Sequence, residues 1–257
     1  MITLLFGITL LSGNVYASDQ ILISISSDLN KVIFDGKWTH TNEWKRSSED
    51  RLRYDDGTRI QLRTAHQGNF IYVFIDAISD VHIDKGADRA LVCFDTKNDK
   101  TKVPNSDDYC FSVTLDRKNP FTYQGGGLLA VNNHFSKIAN PDGFIGIGSV
   151  SDKNDRYNKI PHASYEFRIP LDVLGRSSNY GFYVSVFDAY TQNNYSWPYE
   201  INTSGVLTIP SPNQWGELVS PDKSLPEFSS STWIIIPAFL FVVSLSYLKK
   251  HVQIVKD

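Results

Sequence analysis

The feature that most constrains this chain is a succession of short runs rich in β-branched and aromatic residues. Each run is closed off by Gly, Asn, Asp or Pro. Ten are visible: Ile21–Ile25, Lys31–Phe34, Arg59–Thr64, Phe70–Ala77, Arg89–Asp95, Tyr109–Leu115, Phe144–Val150, Ser164–Ile169, Gly181–Ala189 and Trp215–Val219. Such side chains suit a pleated, half-buried surface, and the punctuating residues supply turn conformations. One short helical turn is expected at Pro170-Leu171-Asp172-Val173-Leu174, with proline at its start and Gly175 as its stop. Many strands and little helix predict an all-β chain, an antiparallel β-sandwich. Within it, Tyr165, Phe167 and Ile169 share one face while Glu166 and Arg168 point the other way. Phe70–Ala77 is apolar on both faces and reads as a central strand.

The two ends stand apart from that pattern. Ile2 to Leu11 is almost wholly apolar and leads to Val15-Tyr16-Ala17, a cleavage-like site, so 1–17 reads as a secretory signal peptide. No Lys or Arg precedes the apolar run, and the alternative is an N-terminal core strand. Trp233 to Leu248 is apolar but for two serines and is followed by Lys249-Lys250. Sixteen or so residues at the α-helical rise cover about 24 Å, and Ser231 and Thr232 can extend them toward the hydrocarbon thickness. The expected order is a domain over 18–222, a linker over 223–231, a transmembrane helix over 232–248 and a tail over 249–257. The two lysines place that tail in the cytoplasm. The expected localisation is therefore export to the cell surface, with a single-pass membrane anchor and the N-terminal domain outside. About 200 residues for one all-β domain is an ordinary size. A net charge of −3 with no run of like charges excludes nucleic acid as the expected partner, since phosphate binding needs a basic surface.

Cys93 and Cys110 are the two cysteines of the chain. In an exported protein they are expected to form one disulfide. Pairing the flanking strands antiparallel with Cys93 opposite Cys110 sets Val92 against Phe111, Phe94 against Tyr109 and Ala90 against Val113. The apolar residues then share one face and the cysteines take the other, and a slip of one residue would break this. The same register sets Asp95 opposite Asp108, and the connecting loop adds Asn98, Asp99, Asn105 and Asp107. Clustered oxygen ligands in a loop suit Ca²⁺, with Asp95, Asn98, Asp99, Asp107 and Asp108 as candidates. The spacing is not that of an EF-hand, and a solvated acidic turn is the other reading.

Phe34-Asp35-Gly36-Lys37-Trp38 followed by Glu43-Trp44 resembles the opening of family-9 carbohydrate-binding modules. Phe70 to Asp76, Cys93 to Asn98 with Asp107 to Tyr109, Tyr165 to Leu171, and Trp215 to Leu218 resemble their later strands in order, covering about Ile33 to Val219. The resemblance implies a β-sandwich related to the DOMON superfamily, sugars bound between aromatic side chains, and structural Ca²⁺. Sugar rings present apolar C–H faces that stack on aromatic rings, while their hydroxyls need polar partners. The candidate platforms are Trp197, Tyr190, Tyr195 and Tyr199, with Asn193, Asn194 and Glu200 for hydroxyls. Trp38, Trp44 and Trp215 read as core anchors. No aromatic follows Asp76 where a second sandwiching ring would stand, which departs from the family. Asn194 and Asn202 head glycosylation sequons, which predicts exposed loops there. Leu225-Pro226-Glu227-Phe228, the apolar span and the basic end resemble the PEF-CTERM tails of archaeal surface proteins; a plain membrane anchor with a serine-rich stalk is the other reading.

Catalytic patterns are missing. The histidines at 40, 66, 82, 134, 162 and 251 form no His-x-x-His or His-Glu-x-x-His motif, and there is no Gly-x-Ser-x-Gly elbow or P-loop. Met1 is the one methionine, so a haem held by methionine and histidine is not expected. The reading is a non-catalytic, surface-anchored module that binds a polysaccharide or glycan. The alternatives are a structural envelope protein without a small ligand and a haem-carrying DOMON-like electron-transfer domain.

Overall fold

A computed structural model of the chain describes residues 19–128, 133–199, 201 and 208–220. The expected signal peptide, linker, membrane helix and tail, together with Glu200 and Asn202, lie outside the described residues. Among the described residues no helix is long and apolar enough to cross a membrane.

In chain order the strands are β1 (Gln20–Leu22), β2 (Ser24–Ile25), β3 (Ser48–Arg53), β4 (Arg59–Gln67), β5 (Phe70–Ala77), β6 (Arg89–Asp95), β7 (Asp108–Thr114), β8 (Phe121–Gln124), β9 (Ser136–Ile138), β10 (Ile145–Val150), β11 (Ala163–Pro170), β12 (Asn179–Asp188), β13 (Asn193–Trp197) and β14 (Gly216–Val219). A single helical turn, α1 (Leu171–Leu174), follows Pro170 and stops at Gly175, whose φ of +70° favours glycine. One sheet runs β1-β14-β12-β6-β7-β8-β9, with β13 beside β12. The other runs β10-β11-β5-β4-β2, with β3 beside β4. The sandwich is not wholly antiparallel: β1 pairs β14 and β2 pairs β4 in parallel. The first strands thus stitch the chain's start to both sheets.

The expected hairpin register is the observed one. Cys93 faces Cys110 with Cα atoms 4.0 Å apart and the two are bridged, while Val92 faces Phe111 and Asp95 faces Asp108. The face bearing Ala90, Val92, Phe94, Phe111 and Val113 joins the central core between the sheets. The cysteine face is apolar as well. There the disulfide packs with Leu91, Tyr183, Phe135, Ile209 and Trp215 in a separate outer cluster.

A second outer cluster covers the six-stranded sheet and explains the Asp-Gly-Lys-Trp segment. Lys31–Phe34 is not the strand that its apolar residues suggest: residues 29–31 form a 3₁₀ turn, and the following chain lies across the sheet. Trp38 and Trp44 are fully buried against Phe74, with ring centroids 5.9 and 5.3 Å from it. Truncating either indole would cost about 3–5 kcal/mol. Gly36 sits so close to the β10 backbone that a Cβ would lie 2.7 Å from Ser149 N, and its φ is +86°. Glu43 ties this segment together by accepting from Ile33 N and Thr39 N, each at 2.7 Å.

Candidate functional site

The antiparallel connections sort into two ends. One end carries the turns at 54–58, 78–88, 151–162 and 189–192; the other carries 96–107 and 171–178. At the first end the 189–192 turn presents Tyr190, which is 65% exposed. Its ring stacks on His82 from the 78–88 loop, with centroids 3.9 Å apart and planes 20° from parallel. His82 was not singled out by the sequence, because a lone histidine in a polar loop carries no periodic signal.

Three buried carboxylates gather beneath these two loops, and two of them hold the backbone. Asp188 Oδ1 accepts from Tyr190 N at 2.9 Å and Thr191 N at 3.2 Å, which fixes the turn that presents the tyrosine. Asp88 accepts from Asp84 N at 2.7 Å and Ala189 N at 3.0 Å, joining one loop to the other. Asp80 completes the set, one oxygen of each residue lying within 4.8 Å of the others. Burial, then the charges of Asp88 and Asp188, push the Asp80 carboxyl up to about 8. Neither Asp80 oxygen has a hydrogen-bond partner, and neither has the buried Tyr165 hydroxyl, which feels all three charges. The sequence signal for this trio is absent because its members are 108 residues apart at the extremes (Asp80 to Asp188).

The remaining residues expected to contact sugar divide. Asn193 is exposed at the start of β13, its amide donating to the Tyr195 hydroxyl at 3.4 Å. Tyr195 is buried, its hydroxyl donating to Asp56 Oδ2 at 2.8 Å. Trp197 is 5% exposed, tilted against Phe182 in the central core and packed on Gly216. Its ring faces are occupied by protein, so it offers no platform to a ligand as it stands. The reason is pleat parity: residues 195 and 197 lie on the inward face of β13. Tyr199 is 41% exposed, edge-on to Tyr54 at 5.5 Å. Asn194 lies within β13, and Tyr195 and Ser196 of its sequon are buried, so this sequon sits on a strand rather than in an exposed loop. Near the same end, the outer face of the eight-stranded sheet carries Arg89, registered between Thr114 and Phe187.

At the opposite end the acidic loop closes on itself. Asp95, Asp99 and Asp107 bring one oxygen each within 4.8 Å of one another. Asp107 Oδ2, Asp108 Oδ1 and Asn98 Oδ1 are buried without hydrogen-bond partners. Burial is the main cause that pushes Asp108 up to about 7, with Asp95 the nearest charge in effect, and burial also raises Asp95. Lys97 Nζ reaches Asp107 Oδ1 at 3.4 Å. Both acidic sets are all-oxygen donors and therefore suit a hard cation. The sandwich thus places its acidic loop and its exposed aromatic pair at opposite ends.

No family model matches this chain, and no curated protein matches it. Among solved structures, it is similar to a carbohydrate-binding module of family 9 from Caldicellulosiruptor kristjanssonii in complex with cellotriose. The identity is 16% and the TM-score 0.50, over 82% of this chain and 100% of that one. A second structure of a family-9 module from that organism, in complex with glucose, is 16% identical with a TM-score of 0.47, over 79% of this chain and 95% of that one. The first likeness shows the fold, a β-sandwich of the family-9-module kind.

Proposed function

We propose that this chain is a non-catalytic carbohydrate-binding module, held at the cell surface by its C-terminal apolar segment. Its sugar docks at the loop end that presents Tyr190. The observation that carries this reading is an exposed aromatic ring, set by a buried carboxylate framework, at one end of a sandwich of the family-9 kind. The relative of that fold was seen with cellotriose, which supports a sugar as ligand. Tyr190 would stack on a sugar ring, and Asn193 would meet its hydroxyls. Trp197, Tyr195 and Tyr199 would act behind that surface, and a glycan on Asn194 would crowd it. Ca²⁺ held by Asp95, Asp99 and Asp107, with Asn98 and Asp108 beside them, would be structural, since this loop lies at the far end from Tyr190. The signal peptide over 1–17 and the span over 232–248 give the surface topology, with the PEF-CTERM-like tail as a processing signal.

The test is a glycan array on the purified full chain, followed by calorimetric titration of the sugars it retains. Binding that falls about tenfold or more in Tyr190→Ala, with unchanged thermal stability, supports the site. Absence of binding to every glycan sinks it and leaves a structural envelope protein.

A further inference from the structure

Asp76, Asp155 and His162 meet in the interior from β5 and from the two halves of the 151–162 connection. Asp76 is near the end of β5, Asp155 is inside the 151–162 connection, and His162 stands just before β11. All three are buried, and one donor atom of each lies within 4.8 Å of the other two. Asp155 Oδ1 is pinned by the backbone N–H groups of Tyr157 at 2.7 Å and Asn158 at 2.8 Å, and Oδ2 has no partner. Asp76 Oδ1 lies 2.6 Å from His162 Nε2, and its Oδ2 also has no partner. Two buried carboxylate oxygens without partners thus belong to the residues gathered around one imidazole, where each missing partner is costly.

The imidazole is oriented as a ligand. His162 Nδ1 lies 2.6 Å from the carbonyl oxygen of Ile160, and a carbonyl only accepts, so Nδ1 carries the hydrogen. Nε2, 2.6 Å from Asp76 Oδ1, then needs a second hydrogen between them, and that is the place a cation would take with the ring left neutral. A backbone carbonyl behind the distal ring nitrogen is the usual outer-shell support of a metal-bound histidine. The same assignment removes a hydrolytic reading of Ser151, His162 and Asp76. Ser151 Oγ accepts from His162 N at 3.0 Å, and Nδ1, 2.9 Å away, already holds its proton and cannot take the one on serine.

We propose that Asp76, Asp155 and His162 form a structural site for a divalent transition metal, with Zn²⁺ the best fit. A nitrogen donor with two carboxylates suits zinc better than calcium, which favours oxygen throughout. Charge agrees: two carboxylates, a neutral imidazole and a doubly charged ion sum to zero. The site ties the 151–162 connection to β5. That connection carries Tyr157, whose ring meets Trp38 edge-on at 5.7 Å and whose hydroxyl accepts from Arg63 Nε at 2.6 Å. The metal would thereby fix the cover over the outer face of the six-stranded sheet.

The experiment starts from the full chain stripped with chelator and then titrated with Zn²⁺, Co²⁺ or Ca²⁺. Elemental analysis should return one equivalent of zinc that survives dialysis. At a hundredfold excess over Kd the melting temperature should rise by about 5–10 °C. Co²⁺ should give visible absorption that His162→Gln removes. Asp155→Asn keeps the Oδ1 acceptor for Tyr157 and Asn158 and should fold, yet lose the zinc equivalent. Asp116→Asn, on an exposed turn outside the cluster, should keep it. Failure of the unmodified chain to retain zinc overturns the proposal, as does zinc retention in Asp155→Asn or a response to Ca²⁺ alone.

Discussion

The indole N–H of Trp44 donates to Glu166 Oε1 at 2.9 Å, while Gly36 N donates to Oε2 at 2.7 Å. One fully buried carboxylate thus joins β11 to the segment that covers its sheet. Burial raises the Glu166 carboxyl well above its usual 4.5, outweighing the two donors that pull it down. The native state keeps a proton that the unfolded chain releases above 4.5. The contribution is therefore full below that pH and is lost as pH rises through the raised value. Urea midpoints from pH 4 to 9 should fall more steeply for the unmodified chain than for Glu166→Gln. Equal slopes would remove Glu166 as the titrating group. At low pH the amide variant should itself be less stable by about 1–3 kcal/mol, because its NH₂ faces an N–H donor.

Tyr190 and Trp197 should separate binding from stability. Tyr190→Ala is expected to weaken sugar binding with little change in the unfolding midpoint. Trp197→Ala should cost about 3–5 kcal/mol by emptying part of the core. Gly216→Ala should act on the same ring from the other side, since its Cβ would overlap Trp197, at a cost of about 1–3 kcal/mol. Calorimetric titration and urea melts on the same preparations decide it; a loss of stability in Tyr190→Ala equal to that in Trp197→Ala would contradict the division.

Opening the disulfide should weaken the sandwich as a whole. Cys93 and Cys110 are 17 residues apart in sequence, and a loop of that size contributes about 3 kcal/mol in the chain-entropy account. The Cys93→Ala/Cys110→Ala double variant should unfold at correspondingly lower urea, measured against the oxidised parent. An unchanged midpoint would mean that Leu91, Tyr183 and Trp215 hold the outer cluster unaided.

Calcium should act on the acidic loop. Chelation is expected to lower the melting temperature, and Asp107→Asn to abolish the response to added Ca²⁺ while leaving zinc retention intact. A calcium response that persists in Asp107→Asn would place the ion elsewhere.

The fold was legible wherever burial was one-sided or complete. Phe70–Ala77 and Arg89–Asp95 match their strands residue for residue, and the register obtained by setting Cys93 opposite Cys110 is the observed one. β3 escaped notice because Ser-Glu-Asp-Arg-Leu-Arg has one apolar residue, Leu52, and is held as a strand by pairing with β4. The short β8, β9 and β13 likewise depend on their neighbours. The candidate site was less legible. Tyr190 and the loop acids could be named from local chemistry, but Trp197 could not be told from a ligand platform without its pleat position. Asp88 and Asp188 become neighbours only when β12 pairs with β6, and Asp76 and His162 only when β11 pairs with β5, so no spacing in the chain announces either group.

The parallel pairing of β1 with β14 has a mechanical consequence. Residue 19 and residue 220 leave this short ladder at opposite ends. A pull that draws them apart therefore runs along the strands and loads the hydrogen bonds together, in shear, instead of peeling them one at a time. A load applied between those two residues would meet the ladder in its strongest geometry first. Because β2 continues straight into the second sheet, that load would pass to both layers before either could unravel alone.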